Sequence, residues 1–109
     1  IKKNGLNFSL KTARGCKRYH IDNVPVRLLV TYYGKGTEWL PRDACNYSAY
    51  YNGESNEKII KIKNRSKFIK PWSIAVFKGQ KFKGGTEAIL HRTPNEALNK
   101  KSLLMCLDS

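Results

Sequence analysis

Only two histidines occur in the 109 residues, and one of them has a carboxylate two positions on, in Tyr19-His20-Ile21-Asp22. In extended chain, residues i and i+2 point to the same face, so His20 and Asp22 can address one metal ion. The other histidine, His91, closes the apolar segment 86–91. Two histidines and one carboxylate cap one face of an octahedron, the ligand set suited to non-haem Fe(II). They leave coordination positions open, which separates a catalytic centre from a closed structural one. Cys16, four residues before His20, offers an alternative set with His20, Asp22 and His91. A thiolate there would favour zinc over iron. Whether either set forms depends on the fold returning His91 to the His20 segment.

The elements that must do this read as short strands. Residues 1–15 are polar and basic and read as a connecting segment, with an alternating strand at Leu6–Leu10. Cys16–Asp22 is expected to be a strand or strand end, and Pro25 then interrupts pairing. Val26–Tyr33 (VRLLVTYY) is β-branched, aromatic and apolar on both faces in its middle, so it is expected to be central. Thr37–Leu40 resumes a strand before Pro41. Residues 42–57 carry Tyr47, Tyr50 and Tyr51 without a clear period and read as an excursion containing a helical turn, its tyrosines covering a core edge rather than stacking on a base. Ile59–Lys63 alternates and is expected as a lysine-lined edge strand. Trp72–Phe77 (WSIAVF) is expected as a second buried strand, Thr86–His91 as a further strand, Asn95–Lys100 as one helical turn, and Ser102–Leu107 as the last strand. Short strands with turns between them imply an all-β sandwich or barrel with minor helix. A jelly roll would suit the metal set, because its two sheets face each other and strand ends converge at one mouth.

The totals bound the partners. One domain's worth of chain can bury a core of modest size. No apolar stretch approaches a membrane span. Three cysteines (Cys16, Cys45, Cys106) without CxxC spacing exclude a complete disulfide framework within one chain and suit reduced thiols in a cytoplasmic setting. The net charge of +13 invites nucleic acid, yet the 15 lysines outnumber the 6 arginines, where phosphate readers favour the arginine fork. Nucleic-acid binding by a basic β domain is therefore the third reading, behind a metal-dependent enzyme and a non-catalytic metal-binding module.

One further residue fits the enzyme. Lys101 lies ten positions after His91 and opens the last strand. A cation there can take the far carboxylate of 2-oxoglutarate while the keto-acid end chelates iron, as a point charge rather than a fork. Lys100, beside Lys101, and Arg92, beside His91, are the competing cations. Trp39 and Tyr33 are candidate pocket walls.

The order HxD, strand, Gly36-Thr37-Glu38-Trp39-Leu40-Pro41, a strand preceded by Pro71, His91, then Lys101 resembles prolyl 4-hydroxylase-type Fe(II)/2-oxoglutarate oxygenases. That resemblance implies a double-stranded β-helix, iron on His20, Asp22 and His91, and 2-oxoglutarate on Lys101. More closely, the stretches Cys16–Asp22, Arg27–Tyr32, Gly36–Pro41, Phe77–Gly79 and His91–Pro94 resemble an uncharacterised bacterial family, domain of unknown function 1826, from about Cys16 to Asp108. Its members are longer at the N-terminus, which implies that this chain is a fragment lacking that part. The reading is a jelly-roll domain over 16–109 that oxidises a small molecule or a protein side chain.

Overall fold

The computed structural model describes residues 2–3, 6–11, 16–82, 87–97 and 103–109. Among them the chain runs β1 (Lys2–Lys3), β2 (Leu6–Lys11), β3 (Val26–Tyr33), β4 (Glu38–Leu40), α1 (Tyr47–Tyr51), α2 (Asn56–Ile59), β5 (Lys67–Phe68), β6 (Ile74–Lys78), β7 (Leu90–Arg92) and β8 (Leu103–Asp108). Single 3-10 turns lie at Arg42–Ala44 and Asn95–Ala97. The strands form a larger sheet in the order β1-β2-β8-β3-β6 and a smaller one in the order β5-β4-β7, all neighbours antiparallel. The fold is thus mostly β, as its short strands and scarce helical periodicity imply. No described helix is long and apolar enough to cross a membrane.

Val26–Tyr33 takes the position its composition demands, between β8 and β6. The opening segment does more than connect, because β2 pairs along β8 from Asn7↔Asp108 to Lys11↔Leu104. Four expected strands differ; of Thr86–His91, residues 87–89 are not strand and β7 begins only at Leu90. Ile59–Lys63 is not a strand: Ser55 begins α2, and Ile59, wholly buried, ends it, leaving Ile60 a single bridge to Cys45. Backbone hydrogen bonds from Lys58 and Ile59 to the Ser55 carbonyl win there over a four-residue alternation. Trp72–Phe77 is an edge strand rather than a buried one; Ala75 and Phe77 face inward, while Ile74 and Val76 are 68% and 63% exposed. An all-apolar run carries no period, so its sequence cannot say which face is covered. The segment 16–22 forms no continuous strand and meets β7 through one bridge, His20↔His91. The predicted turn at Asn95 is seen over Asn95–Ala97, and residues 98–100 lie outside the described residues.

Two apolar cores sit on the two sides of the smaller sheet. Leu29, Ala75, Phe77, Leu104 and Cys106 fill the space facing the larger sheet, with Trp39 and Ile89 packed against them. Tyr19, Ile21, Leu40, Leu90, Ala44, Ala49, Tyr50 and Ile59 fill the other side, beneath the excursion 42–60. The alternation of the sheet explains the division: Tyr19 and Ile21 face the excursion, so His20 and Asp22 between and beside them face the larger sheet.

Gly36 and Gly79 mark close approaches. A Cβ on Gly36 would lie 1.7 Å from the Ile69 carbonyl oxygen, and one on Gly79 would lie 1.7 Å from that of Val24. The second approach matters to the site. It lets Gly79 and Gln80 donate their backbone N–H groups to the carbonyls of Pro25 and Asp22, pinning the loop that carries Asp22.

Candidate metal centre

His20 and His91 are brought together by backbone pairing. The His20 N–H donates to the His91 carbonyl at 2.9 Å and the His91 N–H returns to the His20 carbonyl at 3.1 Å. Residues paired in this way present their side chains on the same face, and the two imidazole centroids lie 4.6 Å apart. Asp22, two residues on, joins them. His20 Nε2 lies 3.4 Å from Asp22 Oδ1, and His91 Nε2 lies 3.0 Å from Asp22 Oδ2. One ligand atom from each of the three residues falls within 4.8 Å of the others. Ions with bonds of about 2.1 Å place neighbouring ligand atoms about 3 Å apart, so the spacing fits a metal.

The second nitrogen of each ring fixes how it presents itself. His20 Nδ1 is 2.7 Å from the Arg18 carbonyl oxygen, and His91 Nδ1 is 3.5 Å from that of Ile89. A carbonyl at Nδ1 can hold the proton there and leave Nε2 free to ligate a metal, whereas the other tautomer turns an Nε2–H toward Asp22. In both tautomers the two Nε2 atoms are the ones that face the Asp22 carboxylate. Asp22 Oδ2 is buried and has no hydrogen bond, although His91 Nε2 lies 3.0 Å away. Burial alone would raise the Asp22 carboxyl, but the nearby imidazoles and Arg27 overcome it and hold the group well below the usual carboxylate range.

Three residues that the motif does not contain complete the surroundings. Arg27 donates from Nη1 to Asp22 Oδ1 at 2.8 Å, and from Nε and Nη2 to the two oxygens of Asp108 at 2.6 and 2.9 Å. Phe77 stacks beneath His91 at 4.3 Å with the rings inclined by 23°. Asp108 lies opposite Arg27 in the β3–β8 register. A period-2 reading of Val26–Tyr33 carries this signal: Arg27 shares a face with Leu29 and Thr31, and a charge on the core face of a central strand calls for a partner.

The other predicted site residues lie elsewhere. Arg92 leaves the opposite face of β7 from His91; its Nε donates to Glu38 Oε1 at 2.7 Å and its guanidinium covers the Tyr19 ring at 4.7 Å. These groups line a cavity of about 670 Å³ on the excursion side. Burial opposes ionisation of Glu38, yet hydrogen bonds from Arg92 and Ser66 lower its pKa. Burial and the neighbouring Glu38 push the Tyr19 phenol up to about 12. Cys16 is exposed, with Sγ 3.3 Å from His20 Nδ1, the nitrogen turned away from Asp22. Trp39 faces the inter-sheet core opposite His91 in register, whereas Tyr33 is largely exposed. Lys101 lies outside the described residues.

The tyrosines of the excursion brace the two strands of the centre. The Tyr50 hydroxyl accepts from the Ile21 N–H at 3.1 Å, the Tyr47 hydroxyl donates to the Ala88 carbonyl at 2.7 Å, and Tyr51 bonds Glu87 at 2.8 Å.

The family model described as "Protein of unknown function (DUF1826)" matches residues 2–108, and the chain belongs to that family. The match takes in β1 and β2 as well as the motif-bearing stretches after Cys16. No curated protein and no solved structure matches the chain.

Proposed function

We propose that His20, Asp22 and His91 hold a single Fe(II) ion in an oxygenase that takes 2-oxoglutarate as co-substrate. The observation that carries this reading is the buried Asp22 carboxylate set between two Nε2 atoms, with Oδ1 toward His20, Oδ2 toward His91, and Oδ2 left without a hydrogen bond. With both ring protons on Nδ1, the two Nε2 atoms and Asp22 Oδ2 converge as three acceptors that a metal cation between them would satisfy. Two nitrogens and one carboxylate oxygen suit iron with open positions better than a closed zinc site. When bound, the metal supplies the oxygen activation needed to oxidise a C–H bond.

The strand order supports the same reading. After β1 the chain alternates between sheets: β2 in the larger, the His20 segment at the edge of the smaller, β3 in the larger, β4 and β5 in the smaller, then β6, β7 and β8 by turns. Such crossing between facing antiparallel sheets is what a jelly roll requires, and in the double-stranded β-helix the metal lies between the sheets. His20, Asp22 and His91 occupy that side. In this scheme Arg27 orients Asp22 and neutralises Asp108, Phe77 fixes the plane of His91, and Lys101 takes the distal carboxylate of the co-substrate. Arg92 is the weaker choice for that task, being engaged by Glu38 on the opposite face.

The test is anaerobic titration with Fe(II) followed by 2-oxoglutarate, monitored by the visible absorption of a chelated 2-oxo acid, and then 2-oxoglutarate turnover in air. His20→Ala is expected to abolish both signals. Unchanged iron affinity and unchanged turnover in that variant would sink the proposal. A second reading, a zinc-binding module without catalysis, draws on the proximity of Cys16 Sγ to His20. One tightly held zinc, lost in Cys16→Ser and accompanied by no keto-acid binding, would favour it.

A further inference from the structure

The outer face of the larger sheet is apolar across four strands, buried at Val30 in its middle and exposed toward its edges, which is unusual for a sheet face open to solvent. The register aligns two complete rows. Phe8, Leu107, Leu28 and Val76 form one, and Leu10, Met105, Val30 and Ile74 the other. Leu10, Ile74 and Val76 are 59%, 68% and 63% exposed, and no described element lies over them. The stripe spans three interstrand spacings, about 14 Å, by about 7 Å along the strands. That is the footprint of one amphipathic helix, about 10 Å wide, rather than of a second sheet. One end is extended by Trp72, 71% exposed, whose ring meets Tyr32 edge-on at 4.9 Å. Trp72 adopts φ 70°, a strained backbone for so bulky a residue, and this holds the indole out at the end of the stripe.

Charge selects the occupant. The chain has 21 basic and 8 acidic residues. Asp22 and Asp108 are held by Arg27, Glu38 by Arg92 and Asp43 by Arg65, so half of the acids are already paired. The register puts Lys78 at one end of the stripe opposite Val26, and among the described residues no acid lies on this face. A second copy would bring +13 against +13. We infer that this face is a docking surface for an amphipathic helix of a partner protein whose apolar side is flanked by acidic residues. Aromatic and aliphatic anchors would supply the contact, and the charge would steer and select the partner.

The test uses two synthetic helical peptides with one shared apolar face, flanked by glutamates in one and lysines in the other. Binding to the full chain is followed by Trp72 fluorescence and by anisotropy of a label on the peptide. The glutamate peptide is expected to bind at least about tenfold more tightly than the lysine peptide, and the double variant Ile74→Lys/Val76→Lys to weaken it by at least about tenfold. Both substitutions are at exposed positions, and circular dichroism checks that the fold is kept. Because the variant adds positive charge, stronger binding by it would mark attraction by charge alone and overturn the inference. So would failure of both peptides to bind the unaltered chain, sedimentation with anionic phosphatidylserine vesicles in place of peptide binding, or a dimer that Ile74→Lys/Val76→Lys dissolves.

Discussion

At the scale of single residues, Arg27 is as much a part of the candidate centre as its three candidate ligands. Arg27 helps the two imidazoles keep the buried Asp22 ionised, and it also ties Asp22 to Asp108 on the last strand. Arg27→Lys loses the fork geometry. It is expected to lower metal affinity by about tenfold to a hundredfold, as for other partners of metal ligands, in a Co(II) titration of folded protein. Gly79→Ala is expected to disturb the same centre from behind, because a Cβ would meet the Val24 carbonyl and push on the Asp22 loop. Glu38 gives a pH signature. Its folded pKa is lowered, so its stabilising contribution is complete above the unfolded value of about 4.3 and is lost as pH falls through the lower folded value. Glu38→Gln should therefore cost about 1–3 kcal/mol at pH 7 in urea unfolding. The gap from the unaltered chain should narrow once the pH falls below about 4. The motif His20-Ile21-Asp22 was legible because a period of two is strict; Arg27 was hidden because the strand around it was read for its apolar residues alone.

At the scale of elements, pairing explains what spacing could not. The return of His91 rests on a single reciprocal backbone pair, and no local pattern in the sequence announces it. The central strand Val26–Tyr33 and the last strand were readable because they are long and β-branched or continuously apolar. The misread segment 59–63 shows the limit of alternation over so few residues, since a helix end buries Ile59 instead. This difference can be measured. Ile59→Ala should cost about 2–4 kcal/mol, whereas Ile62→Ala, at a 40% exposed position, should stay within about 0.5 kcal/mol. An alternating strand with Ile60 and Ile62 inward would give the reverse order. The excursion itself was recognisable, and its tyrosines act as structural braces: Tyr47→Phe should loosen the approach to β7 by removing the bond to Ala88.

At the scale of the whole molecule, the candidate metal centre lies on one side of the smaller sheet, and the 670 Å³ cavity and excursion lie on the other. The outer apolar face belongs to the larger sheet. Its strand β6 read as buried because its residues are apolar on both faces, and composition cannot say whether a covering layer belongs to the same domain. The basic charge predicts weak nucleic-acid attraction that disappears steeply between low salt and about 0.2 M, as counterion release requires. Retention at high salt would point instead to specific contacts. The central claim is that two histidines and one aspartate hold one metal ion. Anaerobic Co(II) titration of the chain and of His20→Ala, Asp22→Asn and His91→Ala tests it most directly. One ion per chain, weak d–d bands without thiolate charge transfer, and affinity lowered at least about tenfold by each substitution are the predicted results. Affinity unchanged in all three variants, or an intense thiolate band that vanishes in Cys16→Ser, would contradict it.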